Sequence, residues 1–392
     1  MKMLSNIDEI ENIKEEVINW RRQLHQKPEL SFQETATAKF VADTLSGFGN
    51  YIISFPTPTS VMARLIGNKP GKILALRADM DALPLTELND CEYKSQNQGV
   101  MHACGHDGHT ASLLGIAKIM GKYQPQLSGE LRLLFQHAEE TPPGGASQMV
   151  AAGVLEEVDQ IFGIHLWSTM PLGKIGITAG PMMAAPDVFS INILGKGGHG
   201  GFPHQTIDCI TIGAQIVSNL QQIVSRQLNP IEPAVISVTK FISGTTNNVL
   251  PNSALLAGTV RTFNPAIRDT IPQLMERIIK GITEAHGASY QFDYVRGYAP
   301  VINDTNAATL VESVVTEVLG TSWVDKMAPN MAAEDFSAFL AHVPGCFIFV
   351  GAGNEAKGII YPHHHPQFNI DEDALVVSMK IFLGLINRLL LS

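Results

Sequence analysis

Cysteine is scarce in this chain and shows no metal-ribbon or redox spacing: Cys91, Cys104, Cys209 and Cys346 are the only four, and none forms a CxxC pair. A chain of 392 residues builds its core without disulfides, so a reducing compartment, the cytoplasm, is the expectation. Positive charge is also short. Lys and Arg total 27 against 37 Asp and Glu, a formal charge of −10, which provides no basic field for nucleic acid or an anionic membrane. No apolar run reaches membrane length unbroken: residues 374–391 are interrupted by Lys380, Asn387 and Arg388 at helical spacing and read as a packed terminal helix. The opening segment MKMLSNIDEIENIKEEV carries acids every few positions and lacks the apolar centre of a secretion signal.

Present instead are 45% hydrophobic residues, enough for one large or two ordinary domains, and 13 histidines, many beside Asp, Glu or Cys. The first 50 residues read as helices over 6–27 and 33–46, broken at Lys27-Pro28 because proline disfavours helix in the residue before it. Strands at 61–67, 72–77, 130–136 and 160–166 then alternate with helices at 108–122 and 145–152, the pattern of an α/β fold with a mixed, mostly parallel sheet flanked by helices. From 184 to 298 the order becomes strand 187–195, helix 205–226, strands 235–242 and 252–263, helix 267–286, strand 289–297. This β-α-β-β-α-β order is that of an inserted ferredoxin-like α+β domain. Helices at 304–318 and 333–341, a strand at 346–351 and the terminal helix rejoin the first unit, so residues 1–183 and 299–392 are expected to form one discontinuous domain.

Polar clusters follow the strands, where ligands gather in open α/β sheets. Asp79 and Asp81 stand in RADMDALP, His102, Cys104, His106, Asp107 and His109 in HACGHDGH, Glu139 and Glu140 in QHAEE, and His165 in GIHLW. Far along the chain, YPHHHPQF adds His363, His364 and His365. Any one cluster alone is better explained by capping or a hydrogen-bonded core histidine. Their coincidence at strand ends is not, because thiolate, imidazole and carboxylate from separate segments are the donors that hold a borderline divalent ion, or two ions sharing a water. Neighbours in an extended chain point oppositely, so without a bend only one of Glu139 and Glu140 ligates while the other faces the water as a general base.

In order, RADMDALP, MHACGHDGHTASLLG, FQHAEE, GIHLW and a C-terminal H-x-P resemble the aminoacylase and carboxypeptidase-like metallopeptidases. Within these, the resemblance is to the amidohydrolase branch that includes hippurate hydrolases and indole-acetyl-amino-acid hydrolases. It implies Cys104, His106, Glu140, His165 and one C-terminal histidine, His364 by the H-x-P at His364-His365-Pro366, as metal ligands. It also implies Glu139 as general base and Asp81 as the carboxylate that holds a ligating or catalytic group from behind. Two divalent ions are implied, zinc by the thiolate or manganese by the branch.

The loop GKGGHGG at 195–201 contains a literal G-x-G-x-x-G, but no acid lies between Asp208 and Glu232 to hold a ribose, so a dinucleotide site is rejected. The loop better resembles the family's lid, whose histidine, here His199, reaches the substrate carbonyl or carboxylate, commonly in a partner subunit. Asn248 and Arg261 are weaker candidates for the substrate carboxylate, Arg261 because a guanidinium binds one bidentately. Glu334 and Asp335 in MAAEDFSAF read as acids at a helix start. The expectation is therefore a homodimer or higher oligomer, joined through the insert, that hydrolyses small N-acyl amino acids. Within the family the alternative is a dipeptidase or carboxypeptidase. Outside it stand a cysteine amidase built on Cys104 and a catalytically inactive metal-binding scaffold.

Overall fold

The computed structural model describes residues 7–391, which divide into two compact units. In the first, α1 (Glu9–Gln26) buries Ile10, Ile13, Val17, Ile18 and Leu24 on one face and ends where Pro28 disfavours helix. Then come α2 (Thr35–Ser46), β1 (Ile52–Ser54), β2 (Val61–Ile66), β3 (Lys69–Asp79), α3 (His106–Gly121), β4 (Ser128–Gln136), α4 (Gly145–Ala151), β5 (Gln160–Pro171) and β6 (Ile175–Gly176). The chain leaves through β7 (Gly180–Met183).

The second unit holds β8 (Ala185–Leu194), β9 (Gly198–His199), α5 (Cys209–Gln222), β10 (Ala234–Ile242), β11 (Val249–Leu250), β12 (Ser253–Thr262), α6 (Pro265–Ala285) and β13 (Ser289–Val295). Its sheet runs β10-β12-β8-β13, every neighbour antiparallel, with Ile191, Ile193, Leu256 and Val260 of the sheet packed with Ile212 and Ile216 of α5 and Ile271 and Met275 of α6. The order is ferredoxin-like, and an antiparallel sheet has no place for a Rossmann-type dinucleotide site. Helix α5 starts only at Cys209 because Asp208 caps it, its Oδ1 accepting from Ile210 and Thr211 N–H.

The chain returns through β14 (Val301–Asn303), α7 (Thr305–Val318), β15 (Val324–Asp325), α8 (Ser337–Leu340), β16 (Gly345–Gly353) and α9 (Asp373–Leu390). The sheet of the first unit runs β1-β2-β4-β3-β5-β16-β6-β15; its centre, β4-β3-β5-β16, is parallel. Strands and helices from both ends of the sequence share one core. The second unit spans 181–301 and 329–334, wider than the 184–298 read from the sequence. Residues 329–334 join it through backbone bonds from Asn330 to Met182 and from Ala184 to Ala332, a pairing that sequence adjacency does not reveal.

Helix α3 is buried on all sides except at Lys118 and Gly121. A Cβ at Gly108 would lie 2.6 Å from Leu166 Cδ1, so glycine lets the first turn of α3 seat against β5. The same turn is tied to α1 by charge. Fully buried Arg21 donates from Nε to Asp107 Oδ2 at 2.8 Å, from Nη1 to Glu372 at 3.2 Å and from Nη2 to Asn369 at 3.0 Å. Removing one partner of a buried pair leaves the other charge uncompensated, so Arg21→Leu is expected to cost about 3–5 kcal/mol. Urea unfolding should report this as a lower midpoint at an unchanged m-value.

Candidate metal centre

The parallel register brings the polar clusters to one level. Asp79 pairs with Gln136 across β3 and β4, and Arg77 with Gly163 across β3 and β5, which sets Asp79 and His165 side by side at the strand ends. His106 opens α3 directly after Gly105, whose φ of 90° is a turn that glycine adopts without strain. After β4 the chain bends at Ala138, φ 49°, a left-handed conformation costly for alanine. That bend supplies what two adjacent glutamates need to face one point: single side-chain ligand atoms of His106, Glu139 and Glu140 lie within 4.8 Å of one another.

Hydrogen bonding decides which imidazole nitrogens are free, since a carbonyl only accepts. His106 Nδ1 donates to the Asp81 carbonyl at 2.9 Å, leaving the Nε2 lone pair facing inward. His165 Nδ1 donates to the Leu166 carbonyl at 3.0 Å, leaving Nε2 3.4 Å from Cys104 Sγ. Two ligands at ~2.1 and ~2.3 Å on a tetrahedral ion would stand about 3.5 Å apart. His109, in contrast, is spent: the Leu166 N–H donates to its Nε2 at 2.9 Å and its Nδ1 donates to Asp79 at 2.6 Å.

The three consecutive histidines separate cleanly. His364 Nε2 lies 3.2 Å from Glu140 Oε1 and belongs to a cluster with Glu140 and Cys104, its backbone held to the Ala103 carbonyl at 2.8 Å with φ 63°. His363 donates from Nε2 to the Leu166 carbonyl at 3.0 Å and packs on Trp167. His365 stacks on Tyr361 at 4.4 Å. Cys104, His106, Glu140, His165 and His364 thus form a chain of overlapping clusters, with Glu139 buried beside them. Asp81 stands behind His106, 3.3 Å from its Nδ1, its Oδ2 accepting from Ser31 Oγ at 2.7 Å and Glu140 N–H at 3.0 Å.

The electrostatics fit a bound cation. His106 Nε2 is buried without a hydrogen-bond partner, 3.6 Å from Asp79 and 3.9 Å from Glu140. Burial alone would depress its pKa, but Asp79, Asp81 and Glu140 push it up to about 10. Burial, reinforced by Glu140, Glu139 and Asp79, holds the Cys104 thiol well above its ordinary value. Such surroundings disfavour a free thiolate nucleophile, and a divalent ion reverses them. Soft sulfur beside imidazole and carboxylate suits a borderline ion.

Sequence reading missed the layer beneath. Asp335, read as a helix-start acid, is fully buried, because α8 begins only at Ser337. Its carboxylate accepts from Arg77 Nη2 at 3.1 Å, Gln136 Nε2 at 2.7 Å and the Ala146 N–H at 2.9 Å. Arg77 also donates to Asp79 at 2.7 Å. Burial works to raise Asp79, but Arg77, His106 and His109 hold it well below the usual carboxylate range. An arginine closing the apolar run KILALR was the available signal, since a buried guanidinium demands acids.

In the second unit, the β9–β11 pairing sets His199 opposite Val249, and Gly200 N–H donates to the Asn248 carbonyl at 2.8 Å, so His199 and Asn248 share one exposed loop pair. Arg261 lies near the far end of β12, eight residues from Ser253, or about 27 Å at ~3.4 Å per residue. No described helix is long and apolar enough to cross a membrane.

Known proteins resemble this chain in both sequence and fold. A model of Peptidase family M20/M25/M40 matches residues 75–388. An N-acyl-L-amino acid amidohydrolase of Geobacillus stearothermophilus is 62% identical over 75% of this chain and 80% of its own length. The thermostable carboxypeptidase 2 of Saccharolobus solfataricus is 44% identical over 94% of both chains. Among solved structures, the YxeP protein of Bacillus subtilis, a dinuclear metal binding peptidase from the M20 family, superposes with a TM-score of 0.84 at 36% identity, covering 97% of this chain and 99% of that one.

Proposed function

The chain belongs to peptidase family M20/M25/M40, and from that premise we propose that it is a metal-dependent amidohydrolase cleaving the amide bond of N-acyl amino acids. The observation that carries this reading is the chain of overlapping donor clusters closing around buried Glu139. Cys104, His106, Glu140, His165 and His364 would hold two divalent ions, zinc or manganese. When bound, such ions polarise a scissile carbonyl and acidify water.

The protein's own residues do the rest. Glu139 takes the proton from water at a carboxylate oxygen and returns it to the departing amine nitrogen. Asp81 fixes the His106 ring from behind, and Asp79 does the same for His109, whose Nε2 in turn receives the Leu166 N–H of β5. His199 and Asn248 supply polar groups for the substrate carbonyl or carboxylate, with Arg261 a separate carboxylate contact. The second unit is proposed as the lid and the homodimer contact, and the enzyme as cytoplasmic.

A carboxypeptidase or dipeptidase reading also has support, because a relative 44% identical carries a carboxypeptidase name. A panel separates the two: N-acetyl, N-benzoyl and indole-acyl amino acids against dipeptides and longer peptides, with metal-reconstituted protein. The amidohydrolase reading expects kcat/KM at least about tenfold higher on N-acyl amino acids, a difference of ~1.4 kcal/mol in barrier. A reversed order assigns the chain to peptides, and no turnover on either set leaves only the inactive scaffold.

A further inference from the structure

The segment between α1 and α2 contains a buried acid that the chemistry above does not use. Glu34 occupies the N-cap position of α2, yet its side chain makes no capping bond. Glu29 serves that helix instead, accepting from Ala36 N–H at 3.2 Å and from Thr37 N–H at 2.8 Å. The Glu34 carboxyl, fully buried, turns the other way. Its Oε1 accepts from the Ala138 N–H at 2.7 Å and the Phe32 N–H at 3.0 Å.

Both donors belong to residues in left-handed backbone, Ala138 at φ 49° and Phe32 at φ 66°. Such conformations persist in non-glycine residues only where surrounding contacts hold them. The Ala138 turn is the one that lets Glu139 and Glu140 face the same point. The same segment reaches the site twice more: Ser31 Oγ donates to Asp81 Oδ2 at 2.7 Å, and the Ala82 N–H donates to the Glu29 carbonyl at 2.8 Å. Residues 29–34 therefore touch the loops after both β3 and β4.

We propose that Glu34 is a positioning residue for the reaction: through Oε1 it locks the Ala138 turn and so fixes where the Glu139 carboxylate stands. This rests on Glu139 being the base. What matters is an oxygen acceptor at that distance, not a negative charge. Glutamine reproduces the acceptor, methionine fills the space without it, and aspartate keeps the charge but withdraws the oxygen by one methylene.

The test compares Glu34→Gln, Glu34→Met and Glu34→Asp by steady-state kinetics, metal content and hydrogen exchange of the peptide spanning 137–141. Glu34→Gln should stay within about threefold of wild type in kcat, whereas Met and Asp fall about 100-fold, the scale of an ångström of misplacement, with KM and bound metal little changed. In parallel, exchange in 137–141 should rise at least about tenfold in Met and Asp only, as a lost amide hydrogen bond requires. Aspartate covers the case in which Met fails to fold. A Gln variant as impaired as Met, or unaltered loop exchange in Met and Asp, overturns the proposal. Loop exchange reads the turn whether or not an N-acyl amino acid is the substrate, so it separates this inference from the reading it rests on.

Discussion

Replacing Glu139 with glutamine should lower kcat by about 10³-fold, in the range typical of losing a positioned general base, while bound metal stays at the wild-type level. Glutamine is nearly isosteric and leaves Cys104, His106, Glu140, His165 and His364 untouched, so the donor clusters survive. What it removes is the only basic oxygen the proposal assigns to proton transfer. A fall in kcat and kcat/KM together, at constant metal content, marks a group that acts in the transition state. Near-normal turnover would remove Glu139 from the mechanism. Loss of metal along with activity would make it a ligand, a role its proximity to His106 and Glu140 also permits.

Chelation should abolish activity and reconstitution with zinc or manganese restore it, and the consecutive histidines make this result residue-specific. His364→Ala should release about one equivalent of bound metal and cut activity at least about 100-fold, because a ligand is lost outright. His365→Ala, which removes a ring stacked on Tyr361, should leave the metal content unchanged. Equal loss in both variants would mean that the segment acts by packing. Activity that survives exhaustive chelation would revive a nucleophilic Cys104, against the carboxylates that now surround the thiol.

The fold was legible where local pattern and final structure share a cause. Apolar runs such as ILAL became central parallel strands, and the helix break fell at Pro28. The candidate donor clusters were legible because chemistry-bearing residues gathered behind those strands. What escaped was set by partners distant in sequence. Asp335 looked like a helix-start cap because nothing near it in the chain shows that Arg77, 258 residues away, needs it. Glu34 carries no signal of its own in the sequence, since its partner Ala138 is 104 residues downstream. Among His363, His364 and His365 the H-x-P pattern had already singled out His364, whereas the backbone conformation that turns it away from its neighbours, φ 63°, is not encoded in composition.

The place of β16 has a consequence for how the chain comes to be made. This strand lies between β5 and β6, so the sheet has a gap at its middle until the ribosome has passed residue 353. Until then β5, which carries His165, presents an unpaired edge, the kind of surface that recruits stray strands from other chains. The second unit, nearly contiguous in sequence, is free to fold in the meantime. Nascent protein therefore passes through a stage with one unit finished and the other open, and the last donor, His364, emerges just after the strand that closes it.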